Sequence, residues 1–177
     1  MRIIGKHSLS RLLRIVVDLI LVLNILTLIL LPWLLTAVYR QPDLLAQLEQ
    51  RTGQSGPDIT LNTEYPADLP KSSFPFYLGF LYLSGLSTAW ILAEGHRILR
   101  RLEKGEPFAA GQAGSFRRVA GAFGMLAAAF AIKIGMYNTL LTMFCCALFL
   151  LLILVAVILA EIFRQAYAVK TDNELTI

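Results

Sequence analysis

The chain has 177 residues, of which 56% are hydrophobic and 16% are charged, and its mean hydropathy is +0.64. Soluble domains are about 45–50% apolar and about 25% charged, so this composition argues against a disordered chain, a disulfide scaffold and an ordinary soluble enzyme. The formal net charge is +4, from 16 Lys and Arg against 12 Asp and Glu. The composition therefore predicts a membrane protein.

Three long runs carry no Asp, Glu, Lys or Arg: residues 19–39, 72–93 and 134–160. Each exceeds the ~20 residues that a helix needs to cross about 30 Å of hydrocarbon. Within lipid the backbone must satisfy its own hydrogen bonds, and these runs are apolar on every side, so we expect helices and no barrel strands.

A fourth, weaker run covers residues 119–132, between Arg118 and Lys133. We expect it to span as well, because Lys133 can extend its ammonium group towards the interface. Ala120, Gly124 and Ala128 recur at every fourth position, and Ala127 and Ala131 repeat this spacing nearby, which predicts close helix packing in lipid.

These runs predict an all-α membrane protein, a four-helix transmembrane bundle that forms one domain over residues 1–177. The basic stretch before the first span is not followed by a small-residue cleavage site, so we expect that span to be retained. The predicted spans are about 15–39, 74–97, 117–137 and 138–162, joined by an outer loop over 40–73 and a cytoplasmic loop over 98–116, with a tail over 163–177.

Basic residues predict the orientation of the bundle. Twelve would lie on one side of the membrane: Arg2, Lys6, Arg11, Arg14, Arg97, Arg100, Arg101, Lys104, Arg117, Arg118, Arg164 and Lys170. Four would lie on the other: Arg40, Arg51, Lys71 and Lys133. The positive-inside rule then places both termini in the cytoplasm. The longer outer loop either caps the bundle or recognises something outside.

The region between the second and third spans contains the candidate contact residues: Arg97, Arg100, Arg101, Lys104, Arg117 and Arg118. We expect the second helix to run to about Lys104, to end at Gly105 in a left-handed conformation, and the third to start near Gln112. Either these cations touch anionic lipid headgroups, each contributing about 1 kcal/mol, or they form a docking surface for a cytosolic partner. No basic run is interleaved with aromatic residues, so direct nucleic-acid binding is not expected.

Three acids lie near the inner ends of three spans, each three or four residues from an arginine. The expected ion pairs are Arg14 with Asp18, Glu94 with Arg97, and Glu161 with Arg164. They are either separate interfacial pairs or parts of one polar network that gates or moves protons.

Catalytic, cofactor and metal-binding residues are not predicted. The chain has no Gly-rich phosphate loop, no HExxH and no serine in a nucleophile elbow. Cys145 and Cys146 are adjacent within an apolar span, and His7 and His96 are far apart in sequence, so neither pair has metal-ligand spacing. We therefore expect no enzyme.

Two short stretches resemble a known family. Leu102-Glu103-Lys104-Gly105-Glu106-Pro107-Phe108 resembles its "kGxPF" loop, and Thr171-Asp172-Asn173-Glu174-Leu175-Thr176-Ile177 resembles its acidic D-x-x-L-T-[IV] end. The family is the YoaS-like group of bacterial membrane proteins, a domain of unknown function (DUF2975). Where members have a serine or threonine and an acidic–Asn pair after the Phe, this chain has Ala109-Ala110-Gly111-Gln112.

The resemblance implies four spans and no particular activity. It also implies a partner, because such genes often neighbour a small helix-turn-helix regulator of the Xre type. We therefore expect a non-enzymatic regulatory or sensing protein of the inner membrane, whose tail, 171–177, either contacts that regulator or folds back onto Arg100, Arg101 and Lys104. The alternative is a small transport or channel subunit, and either protein could form homo-oligomers.

Overall fold

The computed structural model describes residues 9–40, 74–136 and 140–175, and the regular structure within these ranges is helical. The helices are α1 (Leu9–Arg40), α2 (Phe74–Glu103), α3 (Gln112–Met136) and α4 (Leu140–Leu175). All four are long and apolar enough to cross a membrane. The prediction of an all-helical chain with four such helices is thus confirmed, and the predicted outer loop lies outside the described residues beyond Arg40.

The last helix is much longer than the span predicted for it. At 1.5 Å per residue, the 36 residues of α4 extend about 54 Å, whereas about 20 residues cross the hydrocarbon. Most of the predicted tail therefore continues the helix as far as Leu175. The side chains after Asp172 lie outside the described residues, so the two alternatives for the tail, contact with a partner and fold-back onto Arg100, Arg101 and Lys104, stay predictions.

The end of α2 agrees with the prediction from Gly105. This glycine has φ 78°, and its N–H donates to the Leu102 carbonyl at 3.1 Å. The N–H of Glu106 donates to the Arg101 carbonyl at 3.1 Å, which completes a Schellman motif. A residue with a Cβ is disfavoured in this left-handed conformation, so Gly105 ends α2 and turns the chain towards α3.

Consecutive helices pack side by side and antiparallel. Leu28 of α1 lies against Gly85 of α2, whereas Val17 lies beside Gly95, so the two helices run in opposite directions. The later pairs are antiparallel too. Phe80 of α2 meets Phe130 of α3 whereas Glu94 meets Arg118, and Phe149 of α4 meets Phe130 whereas Phe163 meets Phe116. Within the described ranges the extensive interfaces join only helices consecutive in the chain. The helices therefore form an open series with α1 and α4 at its edges.

The buried centre of the series lies around α3. Val119 and Ala120 of α3 pack with Ala156 of α4, and Ile91 and Phe123 cover them. The small residues that are buried agree only in part with the predicted ones. Ala120 and Ala127 are buried, but a Cβ built on Gly124 meets nothing within 4 Å, and Ala128 and Ala131 are exposed. Two further alanines of α3, at positions 122 and 129, are also buried. The prediction of packing along Gly124 and Ala128 is wrong, because the neighbouring helices contact other sides of α3.

The first helix contacts α2 through a narrow stripe, and the rest of its surface is exposed apolar side chains. The less exposed residues recur at alternating steps of four and three: Val17, Leu21, Asn24, Leu28, Leu31 and Leu35. This period of 3.5 is that of a coiled-coil seam. Gly85 lies opposite the stripe, where a Cβ would stand 2.5 Å from Leu28 Cδ2, so the two helices approach closely there.

This close approach predicts the effect of a larger residue at Gly85. Gly85→Leu should lower the thermal unfolding midpoint of the purified protein in detergent, because overpacking costs about 1–3 kcal/mol. Gly79→Leu is the matched control, since a Cβ at Gly79 meets nothing within 4 Å. Equal midpoints for the two variants would contradict the packing of α1 on α2.

Candidate functional site

Polar side chains from all four helices lie near one end of the series, where α1 begins, α2 ends, α3 begins and α4 approaches its end. We call this set the polar layer. It comprises Arg14, Asp18, Glu94, His96, Arg97, Arg101, Glu103, Gln112, Ser115, Arg118, Glu161 and Arg164. The antiparallel order places these residues together although they are far apart in sequence.

Glu94 lies at the centre of the polar layer, and its side chain is 0% exposed. Arg118 Nε donates to Glu94 Oε1 at 2.6 Å and Arg118 Nη2 donates to Oε2 at 3.1 Å, so the guanidinium binds both carboxylate oxygens. Arg97 Nη1 also donates to Oε1. A buried carboxylate is costly unless cations and hydrogen bonds satisfy it, and here two arginines from two helices do so.

The beginning of α3 adds a second group of hydrogen bonds around Ser115, which is fully buried. The Ser115 hydroxyl oxygen accepts from Arg118 Nη2 at 3.2 Å and from Arg101 Nη1 at 3.0 Å. Arg101 Nη1 also donates to the Gly111 carbonyl at 2.8 Å and is 3.3 Å from Gln112 Oε1. A Cβ on Gly111 would stand 2.7 Å from Arg101 Nη2, so the glycine leaves room for the guanidinium. These bonds fix the end of α2 to the start of α3.

Cross-helix pairs join α1 to α2. Arg14 pairs with Glu103, and Asp18 Oδ1 lies 2.5 Å from His96 Nδ1. The expected local pair of Arg14 with Asp18 does not form. Both residues lie next to α2, where Glu103 is the partner of Arg14 and His96 is the partner of Asp18. The interface of α1 with α2 therefore has one ion pair and one contact of a carboxylate with an imidazole at this end, and Leu28 against Gly85 farther along.

The expected pair in α4 is present. Arg164 donates to both carboxylate oxygens of Glu161 at 2.6 and 2.9 Å, and Gln165 donates to Oε1 at 3.0 Å. Arg117 of α3 is close enough to attract Glu161 electrostatically. This pair is more exposed than Glu94, so it contributes little to stability.

The loop between α2 and α3 is attached to α4 by aromatic rings. Phe163 of α4 stacks on Phe116 with ring centroids 5.0 Å apart, and Phe108 of the loop lies 6.0 Å from the same ring. Phe108 therefore contacts apolar surface. The contact holds the 104–111 loop over the ends of α3 and α4.

The six candidate contact cations separate into two groups. Arg97, Arg101 and Arg118 donate to acceptors within the polar layer, and Arg117 faces Glu161. Arg100 and Lys104 are exposed and have no ion pair or hydrogen-bond acceptor in the part of the chain that the structure describes. Only these two side chains are entirely available for contacts with another molecule.

Four members of the polar layer were not predicted as site residues: His96, Glu103, Gln112 and Ser115. His96 and Glu103 could have been found by aligning α1 and α2 as antiparallel neighbours. In that alignment Asp18 lies beside His96 and Arg14 lies beside Glu103. Nothing in their spacing identifies Ser115 and Gln112, which belong to the site because the chain reverses at Gly105.

The cysteines lie away from the polar layer. Cys145 and Cys146 are free thiols in α4, and Cys146 Sγ is 3.7 Å from the Ala127 carbonyl oxygen. Among the described residues, no three His, Cys, Asp or Glu side chains form a group that could hold a metal ion.

Four apolar helices with their charged groups collected at one end fit a multi-pass membrane protein. The chain belongs to the family described as "Protein of unknown function (DUF2975)", which matches residues 15–177. This match supports the resemblance found in the sequence. No curated protein and no solved structure matches the chain.

Because Glu94 is buried, removal of its partner Arg118 should destabilise the protein more than removal of an arginine that pairs with an exposed carboxylate. Arg118→Gln should lower the free energy of unfolding by about 2 kcal/mol, because it removes both bidentate bonds and leaves the buried carboxylate to Arg97 alone. The double variant Glu94→Gln/Arg118→Gln should recover part of this loss, since no charge then stays buried. Denaturant titration in detergent measures both.

Arg164→Gln is the control for this prediction. It breaks the exposed pair of Arg164 with Glu161, which has the same spacing of three residues as the pair of Arg97 with the buried Glu94. We expect its unfolding midpoint to stay close to that of the original protein. A loss as large as that of Arg118→Gln would contradict the special position of Glu94.

Proposed function

We propose that this protein is a non-enzymatic integral membrane protein with a regulatory or sensing role, and that it binds a cytosolic regulatory protein at the end marked by the polar layer. The observation that supports this most is the division of the cations. Three arginines are bound internally, and Arg100 and Lys104 are left exposed on a helix end that the same bonds hold in place.

Arg100 and Lys104 form what we call the docking surface. Arg100 lies in the last turn of α2, and Lys104 follows the helix directly, with its N–H donating to the Arg100 carbonyl at 3.2 Å, so the two side chains project from one side. Along the axis they lie about 9 and 15 Å beyond Glu94, towards the end of the polar layer. A positively charged surface of this kind suits an acidic partner surface, and opposite charges also speed association.

The end of α4 offers apolar contacts close to the docking surface. The helix continues about 18 Å beyond Phe163, which is the last residue held by the loop. Tyr167 and Val169 in this extension are 38% and 61% exposed. Exposed apolar side chains beyond the membrane favour a partner that covers them.

The class of partner that we propose rests on the family resemblance. The resemblance implies a small helix-turn-helix regulator encoded near such genes, and we propose a protein of this class as the partner. Binding at the membrane would keep the regulator away from DNA until the membrane protein changes state.

A second candidate is a small transport or channel subunit. Asn24 Oδ1 and Ser84 Oγ support it, because both atoms are buried at membrane depth and neither has a hydrogen-bond partner among the described residues. Polar atoms of this kind can belong to a water-filled path. Solute flux into vesicles that Asn24→Leu abolishes would favour this candidate over the regulatory role.

We further propose that both ends of the chain lie in the cytoplasm of a bacterium and that the protein resides in the inner membrane. Ten described basic residues lie towards the polar-layer end of the helices: Arg11, Arg14, Arg97, Arg100, Arg101, Lys104, Arg117, Arg118, Arg164 and Lys170. Arg40 and Lys133 lie towards the other end, and the Lys133 ammonium is 5.1 Å from the centre of the Phe80 ring. This imbalance follows the positive-inside rule.

The orientation predicts the activity of reporter fusions. Green fluorescent protein fused after Ile177 should fluoresce, and alkaline phosphatase at the same position should be inactive, because the end of α4 is cytoplasmic. Alkaline phosphatase inserted after residue 56 in the outer loop should be active. The reverse pattern would overturn the orientation, and with it the proposed cytosolic partner.

The docking surface predicts the effect of charge reversal. Arg100→Glu/Lys104→Glu should abolish co-purification, in mild detergent, of the helix-turn-helix regulator encoded beside the gene, because two attractive contacts become repulsive. The unfolding midpoint should not change, since neither side chain has a partner in the described part of the chain. Raising the salt concentration should weaken the original complex in the same direction.

Glu106→Lys is the matched control, since Glu106 is exposed in the adjacent loop and the change adds positive charge. Recovery of the regulator should be at least equal to that of the original protein. If the double charge reversal binds the regulator as well as the original protein does, the docking surface is disproved.

A further inference from the structure

The cations around Glu94 outnumber its charge. One carboxylate, Glu94, meets Arg97 and Arg118 directly, and Arg101 adds a third guanidinium through Ser115. The group therefore keeps two positive charges that no acid among these partners balances. Excess positive charge beside hydrocarbon attracts an anion.

Two of these guanidinium groups still have donors to offer. Arg97 uses only Nη1 and Arg118 uses Nε and Nη2 for the bonds within the polar layer. Their side chains are 57% and 44% exposed. Both contact the same oxygen, Glu94 Oε1, so the two groups lie next to each other at the junction of α2 and α3. Adjacent guanidinium groups held in fixed positions suit the two unesterified oxygens of a phosphodiester.

An apolar surface continues from these arginines towards the middle of the membrane. Because α2 and α3 are antiparallel, the residues before Arg97 and after Arg118 extend in the same direction. Trp90 lies two turns before Arg97 on the same side of α2 and is 46% exposed. Gly121 lies one turn after Arg118, and a Cβ built on it meets nothing within 4 Å. The surface between Trp90 and Gly121 is therefore open at the depth where the first part of an acyl chain would lie.

We propose that the junction of α2 and α3 is a binding site for an anionic phospholipid, with its phosphodiester on Arg97 and Arg118 and an acyl chain along Trp90 and Gly121. We call this the lipid site. A lipid fits better than a free phosphate, because the charged part of the site is continuous with exposed apolar surface. The lipid site does not depend on the proposed regulatory function, since Arg100 and Lys104 are not part of it.

Glu94 has a positioning role in this site. Its carboxylate holds the two guanidinium groups next to each other. Without Glu94 the two positive charges would repel each other and separate. The bound lipid phosphate and Glu94 would then lie on different sides of Arg97 and Arg118, and their two negative charges would balance these two arginines, which leaves the charge of Arg101. A neutral headgroup such as phosphatidylcholine gives no such balance.

The lipid site is tested with purified protein in a neutral detergent. The probes are phosphatidylglycerol, phosphatidylcholine and inorganic phosphate, and the readouts are the thermal unfolding midpoint and native mass spectrometry of bound lipid. Phosphatidylglycerol should raise the midpoint and stay bound, because a ligand that binds only the folded state stabilises it. Phosphatidylcholine and inorganic phosphate should do so only weakly.

Two variants separate the parts of the lipid site. Arg97→Gln should weaken phosphatidylglycerol binding at least about fivefold, the equivalent of one headgroup contact. It should still fold, since Arg118 holds Glu94. Gly121→Leu should weaken binding to a similar degree while leaving the midpoint without lipid unchanged, because the new side chain enters open space.

Each variant has a matched control. Arg164→Gln also removes an exposed arginine that pairs with a glutamate, and Gly135→Leu also fills open space on α3, about 21 Å from Gly121. Both should bind phosphatidylglycerol as the original protein does. The proposal is overturned if phosphatidylcholine or inorganic phosphate stabilises the protein as strongly as phosphatidylglycerol, or if neither Arg97→Gln nor Gly121→Leu weakens binding more than its control.

Discussion

The packing of α2 on α3 depends on the need to neutralise one buried carboxylate. Glu94 is fully enclosed where the helices meet, and Arg118 reaches it from the next helix with two hydrogen bonds. In lipid, apolar side chains gain little by leaving the hydrocarbon for each other, so they set the register of two helices only weakly. An ion pair with fixed geometry sets this register strongly. If α3 moved by one turn along α2, Arg118 would lose Glu94, and only Arg97 would remain to neutralise the carboxylate. We therefore expect Glu94 with Arg118 to determine how α2 and α3 are aligned.

The same interaction explains why basic residues close together in sequence have different roles. Arg97 donates to Glu94 of its own helix and Arg101 donates to Ser115 of α3, whereas Arg100 and Lys104 are exposed and have no acceptor in the described part of the chain. A positive-inside signal needs only charge, and all four residues provide it. The acceptors Glu94 and Ser115 then determine which of them remain available. Topology, helix registration and partner contact can therefore depend on one short segment of α2 without requiring the same side chains.

The sequence predicted the helices better than it predicted their arrangement. Long uncharged runs define four helices because the hydrocarbon tolerates no other backbone, and Gly105 gives the end of α2 because it must adopt a positive φ. The pairing of Arg14 was predicted within α1, since local spacing is all that a sequence shows, and it forms with Glu103 instead. Arg118 with Glu94 was missed for the same reason. The small-residue stripe of α3 failed at Gly124 because spacing does not reveal which side of a helix meets a neighbour.

The open series has α1 and α4 at its edges, and each has one extensive neighbour, but only α4 contributes to the buried centre around Val119, Ala120 and Ala156. The contact of α1 with α2 combines a seam of period 3.5 with two polar pairs at one end, Arg14 with Glu103 and Asp18 with His96. The remaining circumference of α1 is large exposed apolar side chains. A helix attached on one side can shift against α2 without disturbing the buried centre. If the protein changes state in response to a signal, we therefore expect the movement at the interface of α1 with α2, where the two polar pairs would link it to the last turns of α2.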